Sequence, residues 1–490
     1  MRTLLCCLHV GFKDRKKAYA LAIPIAVGFT LFFLAFLPPA IYSIDGNSML
    51  AVAESLVVNH DVSVPAGLGS VGSDGRTYSN WYPLLSFLSA PLAAVAHVFS
   101  QTLHLPFHNV AAMFAPIIQV PLTAVTAALV ALLALELGAT DRGAWLAALT
   151  FCLGTVALVY VRTFFAEPLL AFLVTSSLYL AFRSADRSIL GCSLASALAV
   201  LAKPTGIVIG PILSAYLLAK REVPRWKALL PFGGSVMGFL VYAAYNQARF
   251  GRPLQFGQPW IFSASSLPSG VAGLLLSPGW GLIWYCPVII LAVWGFRLAL
   301  RSKPLEAVAI VAIFAAFLGL HSSYENWSGG WSWGPRYLVP AIPGLCTFTG
   351  LLEGRARKVL IALTLTGFLM NAPTLFSFYE RHFAEMLERN LLPGNSMTWS
   401  VAEAPLLHSW PAAIHEVKDA SKHDVRDLFS ERDEQLVGLW WWMLPAAHIS
   451  RWIGIAVSMI LVCAGVFVLV TFRPAPANEK VKKLMEKCVT

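Results

Sequence analysis

Charged residues are what this 490-residue chain has least of. Asp, Glu, Lys and Arg make up 13% of it, against roughly a quarter in an ordinary soluble domain, so a soluble enzyme is excluded. Disorder is excluded as well, because 57% of the residues are hydrophobic and the mean hydropathy is +0.66. Paired cysteine motifs are missing too. Of the eight cysteines, Cys6, Cys7 and Cys488 lie near the ends and Cys152, Cys192, Cys286, Cys346 and Cys463 sit inside apolar runs. None has a CxxC partner, so neither a zinc site nor a disulfide framework is indicated, and the thiols read as small apolar filler. For Cys6 and Cys7, acylation is the alternative, on position alone. There is no HExxH, no Walker loop and no dinucleotide fingerprint, which leaves an ATP-driven pump or a nicotinamide enzyme without support. Gly330 to Gly334 spells G-x-S-x-G, but no strand-turn-helix is present to make it a nucleophile elbow. No internal repeat is visible.

Long apolar runs take the place of charge. They predict an all-α polytopic membrane protein with about 12 transmembrane helices of ~20 residues, near 18–41, 110–137, 144–161, 168–182, 188–202, 205–219, 228–245, 280–296, 305–320, 337–352, 359–372 and 450–472. The segment 82–100 is also apolar, and whether it crosses decides the side of every later loop. If it does not cross, 23 Lys and Arg fall on one side, and the short loops of the other side keep six: Arg76, Arg162, Lys203, Arg249, Arg252 and Arg336. The positive-inside rule therefore predicts that 82–100 lies on the outer face as an amphipathic or re-entrant helix, with both termini cytoplasmic. The net charge of +10 reads first as cytoplasmic loop anchors, and no nucleic-acid partner is expected.

The expected organisation is a basic cytoplasmic stretch 1–17 and a membrane core 18–372 with a first outer loop 42–109. An extracytoplasmic segment 373–449, a last span 450–472 and a cytoplasmic tail 473–490 follow. Segment 373–449 carries a charged, helical-looking stretch (FYERHFAEMLERN), a Pro/Gly break and a mixed-charge run that reads as a solvated face. Trp440, Trp441 and Trp442 bring it back to the membrane surface.

Acidic residues collect at the outer side: Asp45, Glu54, Asp61, Asp74, Glu167, Glu325 and eleven more between 373 and 451. Only Glu136 sits well inside a predicted span. An ion-coupled transporter needs ionisable groups at mid-depth, so any chemistry is expected at the outer surface. Asp45, just past the first span, reads either as a loop acid or helix cap, or as a general base toward an acceptor hydroxyl or amine. Glu167, directly before Pro168, reads as a helix-opening acid or as a partner of Asp45 in one outward pocket. Three outer loops place cations among Gly, Pro and aromatics: LAKPTG with Lys203, YNQARFGRPLQFG with Asn246, Arg249 and Arg252, and WSGGWSWGPRYLVPAIP with Arg336 and Tyr337. Each fits an anionic lipid headgroup, above all a phosphate, or an aromatic belt with snorkelling arginines. The first loop adds Tyr78, Trp81 and Tyr82, aromatic surfaces suited to sugar rings.

In this order these elements resemble the GT-C membrane glycosyltransferases, in particular the bacterial relatives of protein O-mannosyltransferases and of aminoarabinose transferases that modify lipid A. The resemblance runs over 20–350 and is carried by Asp45, NWYPLLSFLSAPL, FFAEPLLAFL, KPTG, YNQARFGRPLQFG, LLSPGWGLIWYCP and WSGGWSWGPRYLVPAIP. It implies a hexosyl- or pentosyltransferase of the cell envelope that moves a sugar from a polyprenyl-phosphate donor to a lipid, glycan or protein acceptor. It places the site on the periplasmic or exterior face of the inner or plasma membrane. Asp45 maps onto the catalytic base and Glu167 onto the second acid. Arg249, Arg252, Arg336 and Lys203 map onto the donor-phosphate contacts, and Tyr78, Trp81, Tyr82, Asn246 and Tyr337 onto the substrate pocket. Many relatives carry two adjacent acids in the first loop, whereas Gly46 and Asn47 follow Asp45 here. No metal ligand set is diagnostic; the expectation is no fixed cofactor, with a divalent metal left open. The alternatives are a lipid or sugar-lipid transporter, and an O-antigen-ligase-like or polymerase-like enzyme with a pyrophosphate-linked donor.

Overall fold

A computed structural model describes residues 2–255, 261–389, 398–419 and 438–474, with side chains from residue 18 onward. Within these limits the protein is almost entirely helical. After α1 (Arg2–Leu34) and α2 (Ile44–Val58), two short strands, β1 (Ser70–Val71) and β2 (Thr77–Tyr78), pair antiparallel with Ser70 opposite Tyr78. There follow α3 (Pro83–Leu103), α4 (Phe107–Phe114), α5 (Gln119–Glu136), α6 (Asp141–Gly154), α7 (Ala157–Tyr160), α8 (Glu167–Phe182) and α9 (Asp186–Ala202). Next come α10 (Ile209–Lys220), α11 (Arg225–Ala228), α12 (Leu230–Phe250), α13 (Leu267–Leu276), α14 (Leu282–Tyr285), α15 (Ile289–Ser302), α16 (Pro304–Ser322), α17 (Ile342–Thr349) and α18 (Gly354–Asn371). The chain closes with α19 (Glu380–Glu388), α20 (Pro405–Asp419) and α21 (Arg451–Thr471).

Five helical stretches among the described residues are long and apolar enough to cross a membrane: Pro83–Leu103, Phe107–Glu136, Pro304–Ser322, Gly354–Leu375 and Arg451–Thr471. Shorter apolar helices fill the gaps between them. Their outward faces are apolar as well: Trp452, Ile453, Met459, Ile460 and Phe467 stand exposed on α21, as they would toward lipid tails. Where helices face each other, small residues let the backbones close. A Cβ at Gly234 or Gly238 of α12 would run into the carbonyl oxygens of Ser193 and Ala197 on α9, a small-residue seam of the membrane type.

The helix ends sort into two faces. At one, which carries the site described below, lie the starts of α5 and α8 and the ends of α9, α12 and α16. Gln119 of α5 donates to the Phe165 carbonyl at 2.7 Å, which fixes the first two of these together. At the opposite face lie the joins α5–α6, α8–α9, α10–α12, α15–α16 and α17–α18, with Arg142, Arg183, Arg187, Lys220, Arg221, Lys227, Arg301, Lys303 and Arg355 beside them. Glu136, expected well inside a span, is instead the last residue of α5, at that opposite face.

Length alone does not make α3 a span. Near its start Phe87 packs edge-on against Tyr245 at 6.0 Å, in the last turns of α12. Near its end Phe99 packs against Phe114 at 5.4 Å, just ahead of α5. Both ends thus touch the site-bearing ends of other helices, so α3 lies along that face rather than through the bundle. The helix expected from FYERHFAEMLERN is α19. The Pro/Gly break after it and the mixed-charge run beyond residue 419 lie outside the described residues.

Candidate functional site

Asp45 sits in the first turn of α2, behind the N-cap Ser43, whose hydroxyl accepts from the Gly46 amide at 3.1 Å. Glu167 is the first residue of α8, with Pro168 behind it, a favoured helix opening. Lys203 caps the end of α9 in an extended conformation. Arg336 begins a 3-10 turn, Arg336–Ala341, that runs into α17. The loop before it is tightly held. Gly334 has φ +64 and lies against the Tyr285 ring, where a Cβ would collide. Trp333 donates its indole N–H to Asn371 Oδ1 at 2.7 Å, and Tyr160 donates its hydroxyl to the Trp333 carbonyl at 3.1 Å.

These four helix ends bring their charges together. Arg336 Nη2 lies 2.7 Å from Asp45 Oδ2, and Arg336 Nε lies 2.8 Å from Glu167 Oε1. Lys203 Nζ reaches the same Glu167 oxygen at 2.7 Å. One guanidinium therefore bridges the two acids, and the ammonium doubles the charge at Glu167. Glu167 Oε2 is buried without a hydrogen-bond partner, an acceptor still to be used. Aromatic rings wall the cluster. The Arg336 guanidinium lies 3.8 Å above the Phe165 ring, Lys203 Nζ 4.4 Å from the Tyr337 ring, and His321 stacks on Tyr337 at 4.3 Å. Such rings suit cations held out of water.

A cavity of about 320 Å³ opens beside the cluster. Asp45, Arg336, Tyr337, Trp81, Trp331 and Glu380 are on its wall. Of the four charged residues, Asp45 is the least buried, its side chain 18% exposed against 1% for Glu167. The carboxylate next to the open space is thus one of the two that the Arg336 guanidinium bridges.

The remaining residues singled out in the sequence lie beside this cavity rather than on its wall. Arg249 is buried. It donates to the Ser79 carbonyl and, at 2.7 Å, to Asn246 Oδ1, and lies 3.9 Å over the Tyr245 ring. Its place is under the loop that ends in Trp81. Tyr78 donates to Asp74 Oδ2 at 2.7 Å. Tyr82 is buried against Trp81 and Tyr242. Arg252 is exposed in the turn after α12. Glu54 pairs with His108 at 3.0 Å, away from Asp45. Among the described residues no group of three or more His, Cys, Asp and Glu side chains could hold a metal ion.

Two residues at this face were not singled out in the sequence. Glu380, the first residue of α19, lines the same cavity as Asp45. Burial pushes its carboxyl up to about 7, against the pull of Arg162. Arg162, in the loop between α7 and α8, is buried and donates to the carbonyls of Phe36, Thr374 and Gly438. The rarity of arginine in apolar surroundings was the available signal for Arg162; Glu380 lies in a charged stretch that carries no such signal.

No protein-family model matches this chain, and no curated protein does. Among solved structures it is similar to ArnT from Cupriavidus metallidurans in the apo state, at 15% identity over 91% of this chain and 76% of that one, with a TM-score of 0.49. The same protein bound to undecaprenyl phosphate aligns at 14% identity over 92% and 77%, TM-score 0.48. The oligosaccharyltransferase of Archaeoglobus fulgidus in its apo form aligns at 12% identity over 88% of this chain and 56% of its own length, TM-score 0.41.

Proposed function

We propose that this chain is a membrane glycosyltransferase that moves a sugar from a polyprenyl-phosphate donor to an acceptor at the outer face of the inner or plasma membrane. The observation that carries the reading is the cavity on which Asp45 and a buried Arg336 stand 2.7 Å apart beneath aromatic walls. In the reaction the acceptor oxygen attacks the anomeric carbon, and the bond from that carbon to the phosphate oxygen breaks. Its electron pair leaves on the polyprenyl phosphate. Arg336, backed by Lys203, meets that growing negative charge with fixed cations that need no reorganisation. Asp45 takes the acceptor proton, and its pairing with Arg336 at 2.7 Å holds the carboxylate in place at the cavity wall.

Glu167 holds the two cations side by side, which their mutual repulsion would otherwise prevent. Trp81, Trp331 and Tyr337 offer ring faces to the sugar. Tyr78, Tyr82 and Asn246 complete the pocket from behind by supporting the first loop. Arg252, exposed in the turn after α12, takes part in donor binding from outside the cavity, and the buried Arg249 holds the first loop beside that approach. No nucleotide is needed. The basic loops of the opposite face lie on the cytoplasmic side, and α19 and α20 stand at the outer one.

The test is transfer of label from a set of radiolabelled polyprenyl-phosphate sugars in membranes carrying the wild type or Asp45→Asn. Label reaching a non-prenyl product with the wild type only supports both the enzyme class and the base. Label moved equally by both removes Asp45 from the reaction. If neither form moves label but the purified protein shifts labelled lipid between leaflets, the protein is a transporter.

A further inference from the structure

A second, larger chamber lies next to the reacting cavity. Its volume is about 410 Å³, and it is built by α19, α20 and the turn before α19. A narrow cleft of about 30 Å³ shares Thr374, Ser377, Phe378 and Tyr379 with the chamber, and shares Tyr42, Ser43 and Glu380 with the reacting cavity. The two spaces are therefore neighbours across the single step Tyr379–Glu380.

The chamber wall differs in kind from that of the cavity. Its one arginine, Arg381, is committed, at 3.2 Å to Glu385 and 3.8 Å to Glu416. That arginine is taken up by Glu385, so no guanidinium is left over for a phosphate. What remains is neutral hydrogen-bonding capacity. His382 and His408 stack at 4.9 Å, and each gives its Nε2–H to a backbone carbonyl, of Glu403 at 3.1 Å and of Ala402 at 2.7 Å. A carbonyl can only accept, so in the tautomer with its proton on Nε2 each ring leaves Nδ1 as an acceptor. Glu416 is 7% exposed on its side chain, and its Oε2 has no hydrogen-bond partner. Burial pushes this carboxyl up to about 8, so at neutral pH it carries a proton to donate. Trp333, Phe378 and Tyr379 add aromatic surface. Donors and acceptors without net charge, set against aromatic rings, are what a sugar's hydroxyls and C–H faces require.

Building on the glycosyltransferase reading, we propose that this chamber is the acceptor subsite and that the acceptor is an uncharged glycan. Its terminal sugar sits among His382, His408 and Glu416 and presents a hydroxyl past Tyr379 to the anomeric carbon in the neighbouring cavity. The division of labour follows from the walls: the cavity lined by the buried Arg336, with Lys203 behind it, takes the phosphate-linked donor, and the chamber of imidazoles, aromatic rings and Glu416 takes the polyol.

Two measurements test this, using methyl glycosides of common hexoses as the probe. In saturation-transfer NMR with the purified full-length protein, wild type shows saturation of the glycoside. Ala412→Trp, which places a bulky ring in the chamber, weakens it about fivefold or more, as does the isosteric Glu416→Gln to a smaller degree. Equal signals from wild type and both variants overturn the proposal, and the second variant guards against misfolding of the first. In membranes, Ala412→Trp raises the KM for a glycolipid acceptor fraction about tenfold and leaves the donor KM where it was, a loss of ~1.4 kcal/mol in acceptor binding. A rise in donor KM alone overturns the assignment. If no donor is turned over even by wild type, the glycosyltransferase reading falls, and with it the word acceptor. The NMR result still decides whether the chamber binds sugar, and the absence of binding there, with transfer intact, sinks only the chamber.

Discussion

The two ends of α9 carry ion pairs of the same length and of different consequence. At the site end, Lys203 meets Glu167 at 2.7 Å with side chains 4% and 1% exposed. At the opposite end, Lys227 meets Asp186 at 2.7 Å with side chains 23% and 71% exposed. Distance cannot tell them apart; water can. The exposed pair exchanges one set of good solvation for another and is worth about 0–1 kcal/mol. The buried pair lies where an unmatched charge would be expensive, so each member obliges the other to be present. An arrangement of that sort is a poor way to gain stability and a good way to hold cations at a fixed place.

That contrast can be broken most severely at Glu167. Glu167→Gln leaves Lys203 and Arg336 buried with Asp45 as their remaining carboxylate. We expect a loss of about 3–5 kcal/mol, seen as a lowered Tm in detergent, together with loss of transfer. A Tm equal to wild type would show that water already screens the cluster. Asp45→Asn should separate function from stability. Transfer falls about 10²–10⁴-fold, the range of a lost general base, while the protein accumulates normally and still retains donor. Arg336→Lys keeps the charge but cannot bridge two carboxylates, so the donor KM should rise roughly tenfold. An unchanged donor KM would place the phosphate elsewhere, with Arg249 and Arg252 the next residues to vary.

Glu380 sharpens the comparison through pH. Its carboxyl is raised in the folded protein, from the ordinary 4.5 to about 7. The folded state therefore holds the proton more tightly than the unfolded state. The associated stability is full below pH 4.5 and is lost as pH rises through 7. Glu380→Gln should flatten that fall by about 1–3 kcal/mol between pH 5 and 8, measured as Tm against pH for the two proteins. Parallel curves would mean that the carboxyl is solvated. At the far end of the scale, Asp186→Asn should change Tm and transfer hardly at all, by less than about 1 kcal/mol.

Much of the framework was legible in the chain. Apolar runs gave helices at the expected places, and the scarcity of charge made each of Asp45, Glu167, Lys203 and Arg336 conspicuous at a helix end. What could not be read was direction and partner. Arg249 and Arg336 look alike in sequence, each among Gly, Pro and aromatics, yet one turns its guanidinium to the Ser79 carbonyl and the other to two carboxylates. Composition does not encode that choice, because backbone carbonyls compete with side chains as partners. Glu380 was lost for a different reason. It lies in a stretch whose alternating charges read as a solvated helix, and only long-range packing carries it to the wall it shares with Asp45.

Arg162 ties together carbonyls 126, 212 and 276 residues away from it along the chain, at Phe36, Thr374 and Gly438. For a chain that is threaded into a membrane in order, this is a question of timing. The guanidinium is delivered with the early helices, but its last partner arrives only with the stretch leading into α21. Until then the arginine has unspent donors in an apolar setting. This three-way tie is therefore completed only after nearly all the helices exist. A chain stopped short of residue 438 would carry Asp45, Glu167, Lys203 and Arg336 and still lack the third carbonyl of Arg162.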